Sequence, residues 1–165
     1  MADSADYILE VDRIHTFIGQ FHILEDVSLK VRRGSITVLM GRNGAGKTTT
    51  LKSILGLTPP RTGKVIFDGQ EIQGRRAFDI AQMGIGYVPE YRAIFRNLSV
   101  SENLKIAERK RGDMQRKSEM IFELFPDLTG LYKLSGHQLC GGEQQVLASA
   151  RARGAENTRV RIAEP

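Results

Sequence analysis

Cysteine is nearly absent: Cys140 is the only one, so no intrachain disulfide can form and a reducing compartment suits the chain. Long apolar runs are missing too. No stretch of the 165 residues approaches the roughly 20 that a membrane-spanning helix needs. The opening MADSAD is acidic and polar, and is expected not to act as a secretory signal. Aromatic residues make up 7% of the chain, and none interleaves with the basic clusters at Arg109 to Arg111, Arg116 and Lys117, or Arg151 to Arg161. That spacing argues against a single-strand nucleic-acid surface. The formal charge of +5 is therefore read as solvated faces and partner contacts, with no nucleic-acid partner.

What is present is ordinary in bulk: 41% hydrophobic and 26% charged residues, typical of a globular protein. The length suits one domain able to bury a core without metal or disulfide staples.

The organising stretch is residues 36–57, ITVLM GRNGAGKTTT LKSILGL. An apolar run leads into a glycine-rich turn, and Leu51, Ile54 and Leu55 follow at helical spacing, predicting strand, loop and helix. Gly41, Gly46, Lys47 and Thr48 fill the fixed places of G-x-x-x-x-G-K-S/T, the phosphate-binding loop. Small residues let successive N–H groups turn toward a phosphate, and the following helix adds the positive end of its dipole. Arg42, Asn43, Gly44 and Ala45 fill the loop between the fixed places, and Thr49 follows. Lys47 is expected on the β- and γ-phosphates and the Thr48 hydroxyl on Mg²⁺.

In chain order, residues 7–18 and 23–31 read as strands joined at Gly19 and Gln20, with Ile23, Val27, Leu29 and Val31 as the apolar positions of the second. Arg33 and Gly34 make the next turn before the strand at 36–40. The loop helix stops at Gly56, ahead of Pro59 and Pro60. Residues 64–67 form a short strand closed by Asp68 and Gly69, residues 75–82 a helix, and 85–88 a strand ending in Pro89 and Glu90. From Leu98 the period turns helical, with Val100, Leu104 and Ala107 on one face, then Ile121, Phe122, Leu124 and Phe125. Ser99 or Ser101 caps the first of these helices. Leu139 to Gln145, LCGGEQQ, opens a further helix carrying Val146, Leu147 and Ala150, and Gly141 and Gly142 there make a second anion-binding terminus.

Together, LCGGEQQ and the phosphate loop resemble an ABC transporter ATPase over residues 7–152, the family signature ordinarily beginning Leu-Ser-Gly-Gly. GYVPEYRAIFRNLSVSENL, ELFPDL and GHQLCGGEQQVLA are similar to the ATPases of branched-chain amino-acid importers, with importers of urea or short amides as near relatives. The resemblance implies an α/β fold: a phosphate-loop core at residues 7–90 with an N-terminal antiparallel β region and a mixed, incomplete sheet. A helical subdomain at 91–149 and a degenerate segment at 150–165 complete it. It also implies two ATPase subunits, homodimeric or heterodimeric, sandwiching ATP, so that Cys140, Gly141, Gly142 and Glu143 of one face the nucleotide held by Lys47 and Thr48 of the other. Glu90 takes the place of the glutamine that senses the metal, Phe17 the place of the adenine-stacking aromatic, with Ile18 adjacent, and Glu164 that of the catalytic base. Membrane-spanning permease subunits and, indirectly, a periplasmic solute-binding protein are the implied partners, at the cytoplasmic face of the membrane.

The sequence departs from this pattern toward its end. Cys140 replaces the signature serine, and a thiol is the weaker donor. The family carries an apolar strand ending Asp-Glu-Pro; here it reads TRVRIAEP, with Ala163 in place of the metal-linked aspartate. Arg159 and Arg161 within a strand covered on both faces are expected to be costly. The switch histidine that follows in the family has no counterpart before Pro165; His15, His22 and His137 are expected at the surface or in loops. A damaged or out-of-frame end, or divergence into a nucleotide sensor, accounts for the change. The expected behaviour is weak Mg·ATP binding with slow or absent turnover, the rival reading being a non-hydrolysing subunit paired with an intact ATPase. LCGGEQQ after a helical insertion disfavours a phosphate-loop kinase or GTPase.

Overall fold

The N-terminal third alternates apolar and polar residues, and in the computed structural model, which describes residues 6–91, 93–108, 112–154 and 159–163, it folds as a long hairpin. β1 (Tyr7–Ile18) and β2 (Phe21–Arg32) pair antiparallel around Gly19 and Gln20. The alternation is not strict. In β1 the buried positions run Leu9 and Val11, then Ile14 and Thr16, a one-residue slip at Arg13, whose φ is 45°. β2 slips at Asp26, φ 52°, so Leu24 is buried at 2% exposure while Ile23 stands 40% exposed. These bulges reassign the inward residue of β2 from the expected Ile23 to Leu24.

β3 (Thr62–Phe67) pairs antiparallel with β1 and turns through Asp68 and Gly69 into β4 (Gln70–Glu71). The sheet order is β2-β1-β3-β4. Both turn residues have positive φ, 51° and 77°, the hairpin geometry whose twist matches the strands. Val65, Phe67 and Ile72 join Leu9, Val11 and Ile14 in the core. At Gly63 (φ 90°) a Cβ would lie 2.3 Å from the Arg13 carbonyl oxygen; the strands meet there only because glycine has none. α1 (Lys47–Ile54) and α2 (Ala77–Gln82) complete this unit, Met1–Gln82. α1 is tied to β1 by a hydrogen bond between the buried hydroxyls of Thr16 and Ser53, 2.9 Å.

The expected strand at 36–40 does not form. Ile36, Val38 and Met40 are 94%, 72% and 85% exposed, and among the described residues no strand pairs with the run. An apolar sequence of this kind suits a strand covered on both faces, but a strand exists only where a neighbour accepts its hydrogen bonds. Among the described residues the strands accordingly form two separate sheets, of four strands and of two, rather than one mixed sheet.

The second unit, Met83–Pro165, contains β5 (Ile85–Val88) paired parallel with β6 (Val160–Ala163). With them are α3 (Val100–Ile106), α4 (Asp113–Leu124), α5 (Asp127–Leu131) and α6 (Gly141–Gly154). Val100, Leu104, Ile121, Leu128, Leu139, Leu147 and Ala150 make its core. Ser99, not Ser101, caps α3: its hydroxyl accepts from Glu102 N–H while the Glu102 carboxylate accepts from Ser99 N–H at 2.8 Å. This is a complete capping box. Asn103, fully buried, accepts from Phe95 N–H at 2.8 Å and donates to the carbonyls of Phe95, Leu98 and Ser99. It holds the loop ahead of α3 as a helix would hold a turn of itself. In β6 only Ile162 is buried, and Arg161 faces outward. The expected charge-burial cost does not arise, because this strand keeps a solvent side.

Candidate nucleotide-binding site

The phosphate loop begins at Gly41 and ends on α1. Ala45 N–H donates to Arg42 C=O at 3.1 Å, closing the turn over Asn43 and Gly44. Residues Gly41 to Ala45 are exposed, while Gly46, Lys47, Thr48 and Thr49 are half-buried. Gly46, φ 84°, is the N-cap of α1 and supplies no side-chain cap. A Cβ there would come within 2.7 Å of the Leu24 side chain on β2, so this glycine is required both by its backbone angle and by close packing. The first-turn N–H groups of a helix lack intrahelical acceptors, and no acidic residue occupies the first turn of α1. The arrangement fits an anion, specifically the oxygens of a phosphate chain.

Lys47 folds back over its own loop, its Nζ donating to the carbonyls of Gly41 at 2.8 Å and Arg42 at 3.0 Å. The ammonium is thus held at the mouth of the loop. Thr48 presents a hydroxyl in the first turn of α1, of the chemistry that binds Mg²⁺ beside a nucleotide. Among the described residues no group of three or more His, Cys, Asp or Glu side chains gathers to hold a metal.

Phe17 lies near the end of β1. The His22 ring stacks parallel to it, centroids 4.2 Å apart, and the Arg61 guanidinium sits 4.2 Å from the same centroid. Both groups pack against the ring, so a base can stack on Phe17 only by displacing one of them. His15 Nδ1 and His22 Nε2 lie 3.2 Å apart. His22 is exposed and His15 half-buried, both on strands, and exposed His137 contacts Asn97 Oδ1 at 2.7 Å.

In the second unit the signature residues open α6. Gly141 and Gly142 are exposed, as is Cys140. The Glu143 carboxylate accepts from Cys140 N–H at 2.7 Å, so this residue, expected at the nucleotide, closes the helix start upon itself. Glu90 is exposed just past β5. Val88 and Ala163 are paired in register at the carboxyl ends of β5 and β6, the end at which α/β sheets bind ligands. Ala163 brings no carboxylate to that edge, and Glu164 lies outside the described residues.

Two side chains escaped sequence reasoning. Asn103 sits on the buried stripe of α3 with Val100 and Leu104, and a polar residue on such a stripe was the available signal. Arg151 belongs to a basic run expected to be solvated, yet it is half-buried, four residues after Leu147 on α6. Burial alone holds its guanidinium below the ordinary arginine range.

Comparison with known proteins agrees with the loop and the signature. The profile described as ABC transporter matches residues 24–162. The chain is 37% identical over 147 residues to the high-affinity branched-chain amino acid transport ATP-binding protein BraG of Pseudomonas aeruginosa, covering 88% of this chain and 63% of that protein. It is equally 37% identical over 147 residues to the lipopolysaccharide export system ATP-binding protein LptB of Escherichia coli, covering 87% and 61%. A crystal structure of a nucleotide-free ATP-binding cassette from an ABC transporter superposes with a TM-score of 0.76 at 27% identity, over 90% of this chain and 65% of that one. The chain thus spans less than two thirds of the length of these relatives. Among the described residues no helix is long and apolar enough to cross a membrane. With a phosphate loop opening α1 and a Gly-Gly signature opening α6, the chain belongs to the ABC transporter ATPase family.

Proposed function

We propose that the protein is the ATP-binding, energy-coupling subunit of an importer for branched-chain amino acids, working as one of two ATPase subunits beneath membrane-spanning permease subunits. The observation that carries the nucleotide reading is the loop itself: an uncapped α1 start with an ammonium poised at its mouth. Lys47 leaves two carbonyls for the β- and γ-phosphate oxygens, and the first-turn N–H groups of α1 take the remaining charge. Thr48 would hold Mg²⁺, and the ion would supply charge to offset that of the phosphates. Glu90 lies at the carboxyl end of β5 as a second group for the metal, Phe17 serves the adenine, and Cys140, Gly141 and Gly142 serve the γ-phosphate held by the other subunit. Glu164 orients the attacking water. The solute assignment is supported by BraG and by LivF of Archaeoglobus fulgidus, 36% identical.

The test is titration with a fluorescent ATP analogue. The expected result is saturable binding that Lys47→Ala weakens at least about tenfold, the effect of losing charge-assisted hydrogen bonds; equal binding by the variant overturns the reading.

Ala163 favours a second reading for the same fold: a subunit that binds nucleotide without hydrolysing it and lends its signature glycines to an intact partner. With alanine rather than aspartate at position 163, Mg²⁺ is expected to strengthen ATP binding little. Ala163→Asp should widen the difference between binding with and without Mg²⁺, measured by calorimetry; no widening counts against the place assigned to Ala163. Leucine uptake by a strain lacking its own import ATPase, supplied with this chain, tests the solute.

A further inference from the structure

We propose that His15 and His22 form a two-histidine site for a divalent transition-metal ion such as zinc, clipping the hairpin of β1 and β2 near its turn. His15 Nδ1 and His22 Nε2 are 3.2 Å apart while the ring centroids are 5.3 Å apart, so the two nitrogens lie on the facing edges of the rings. Two nitrogens bonded to one tetrahedral zinc at about 2.0–2.1 Å stand about 3.3–3.4 Å from each other. The pair is therefore already near the separation of a chelate. A modest tilt of the rings brings both lone pairs onto an ion beside the line that joins them.

The hairpin fixes this separation. Phe17 pairs with His22 across the strands, and His15 lies two residues before Phe17, on the same face of β1. Thr16 between them is turned the other way, its buried hydroxyl 2.9 Å from that of Ser53. The His22 ring lies parallel to Phe17, at 2° and 4.2 Å, so part of the ordering that a metal would impose is already in place. Each imidazole offers a lone pair on its facing nitrogen when its proton sits on the other one. Imidazole suits zinc, copper and nickel, whereas magnesium and calcium take oxygen ligands. Arg61, the cation packed on the same Phe17 ring, donates to the Gly19 carbonyl at 3.3 Å and has no lone pair to give. Among the described residues no third His, Cys, Asp or Glu joins the pair. His22 is exposed and His15 half-buried, so the pair stands at the surface and water supplies the remaining ligands. The site is open and exchangeable, unlike a structural zinc site closed by four protein ligands.

The test is urea unfolding of the whole chain in zinc chloride or in EDTA, each protein compared with its own EDTA midpoint. A ion that binds the folded hairpin alone raises the midpoint as its concentration rises. Such a rise is expected with zinc and not with equal magnesium, kept in His137→Asn and lost in both His15→Asn and His22→Asn. A shift surviving in either of those two variants, an equal shift with magnesium, or no shift overturns the proposal. On the unaltered chain, where no variant has to fold, the imidazole C2 proton signals of His15 and His22 should move together along one zinc saturation curve; movement of one alone, or of neither, overturns it as well. No nucleotide enters these measurements, so their outcome is separate from that of the nucleotide reading.

Discussion

Gly63 illustrates how much a single residue decides. Its φ of 90° and the 2.3 Å approach of a would-be Cβ to the Arg13 carbonyl leave no room for any side chain, and the obstacle is backbone, which cannot swing aside. Gly63→Ala is expected to destabilise the chain by at least about 2 kcal/mol, read as a lowered midpoint in urea unfolding; an unchanged midpoint would show that β1 and β3 can separate without cost. Sequence reasoning handles such residues unevenly. Gly41, Gly46, Lys47 and Thr48 were legible because their spacing matches the phosphate-binding pattern, and the structure places Gly41 and Gly46 in the turn ahead of α1 and Lys47 and Thr48 in its first turn. Arg151 and Asn103 were not, because each is polar and sequence pattern assigns polar residues to water by default. Arg151 meets the Ala93 carbonyl, 58 residues away, and Asn103 bonds the irregular 95–99 loop just ahead of its own helix, neither of which helical period marks.

At the scale of elements, the hairpin, the helix following the loop and β5 were all readable from period and turn residues, and β5 falls on residues 85–88 as expected. The bulges at Arg13 and Asp26 were not, since neither is a glycine and nothing local marks the slip; the tertiary fit of Leu24 against Gly46 chooses it. α3 offers a pH test. The Glu102 carboxyl is held below its usual range first by the Ser99 N–H, then by the Ser99 hydroxyl. A carboxyl lowered in the folded state contributes stability above its unfolded pKa, near 4.3, and that contribution is lost as pH falls through the folded value. The stability gap between the native chain and Glu102→Gln, measured by urea unfolding, should therefore be present at pH 7 and shrink below about pH 4. A gap independent of pH would mean the capping box does not depend on the charge.

For the whole molecule, the departure that matters is the run at 36–40, read as the strand leading into the phosphate loop and found exposed. The pattern was right about what the residues suit and silent about whether a neighbour exists, because pairing is not a local property. Ile36, Val38 and Met40, at 94%, 72% and 85% exposure, form an apolar strip with unpaired backbone, a template for edge-to-edge association. Concentration-dependent self-association is expected in sedimentation velocity, reduced by Val38→Lys with nucleotide-analogue binding retained. A chain monomeric at all concentrations would show the strip to be covered in solution.

The resting position of Lys47 acts as a filter. Because its ammonium already rests on two carbonyl dipoles, a ligand gains from it only the difference between its own oxygens and theirs. A singly charged anion such as acetate or nitrate offers little more than those carbonyls do, whereas a polyphosphate offers several charged oxygens at once. On the proposed reading, the loop is expected to discriminate by charge density, taking a polyphosphate in preference to acetate or nitrate.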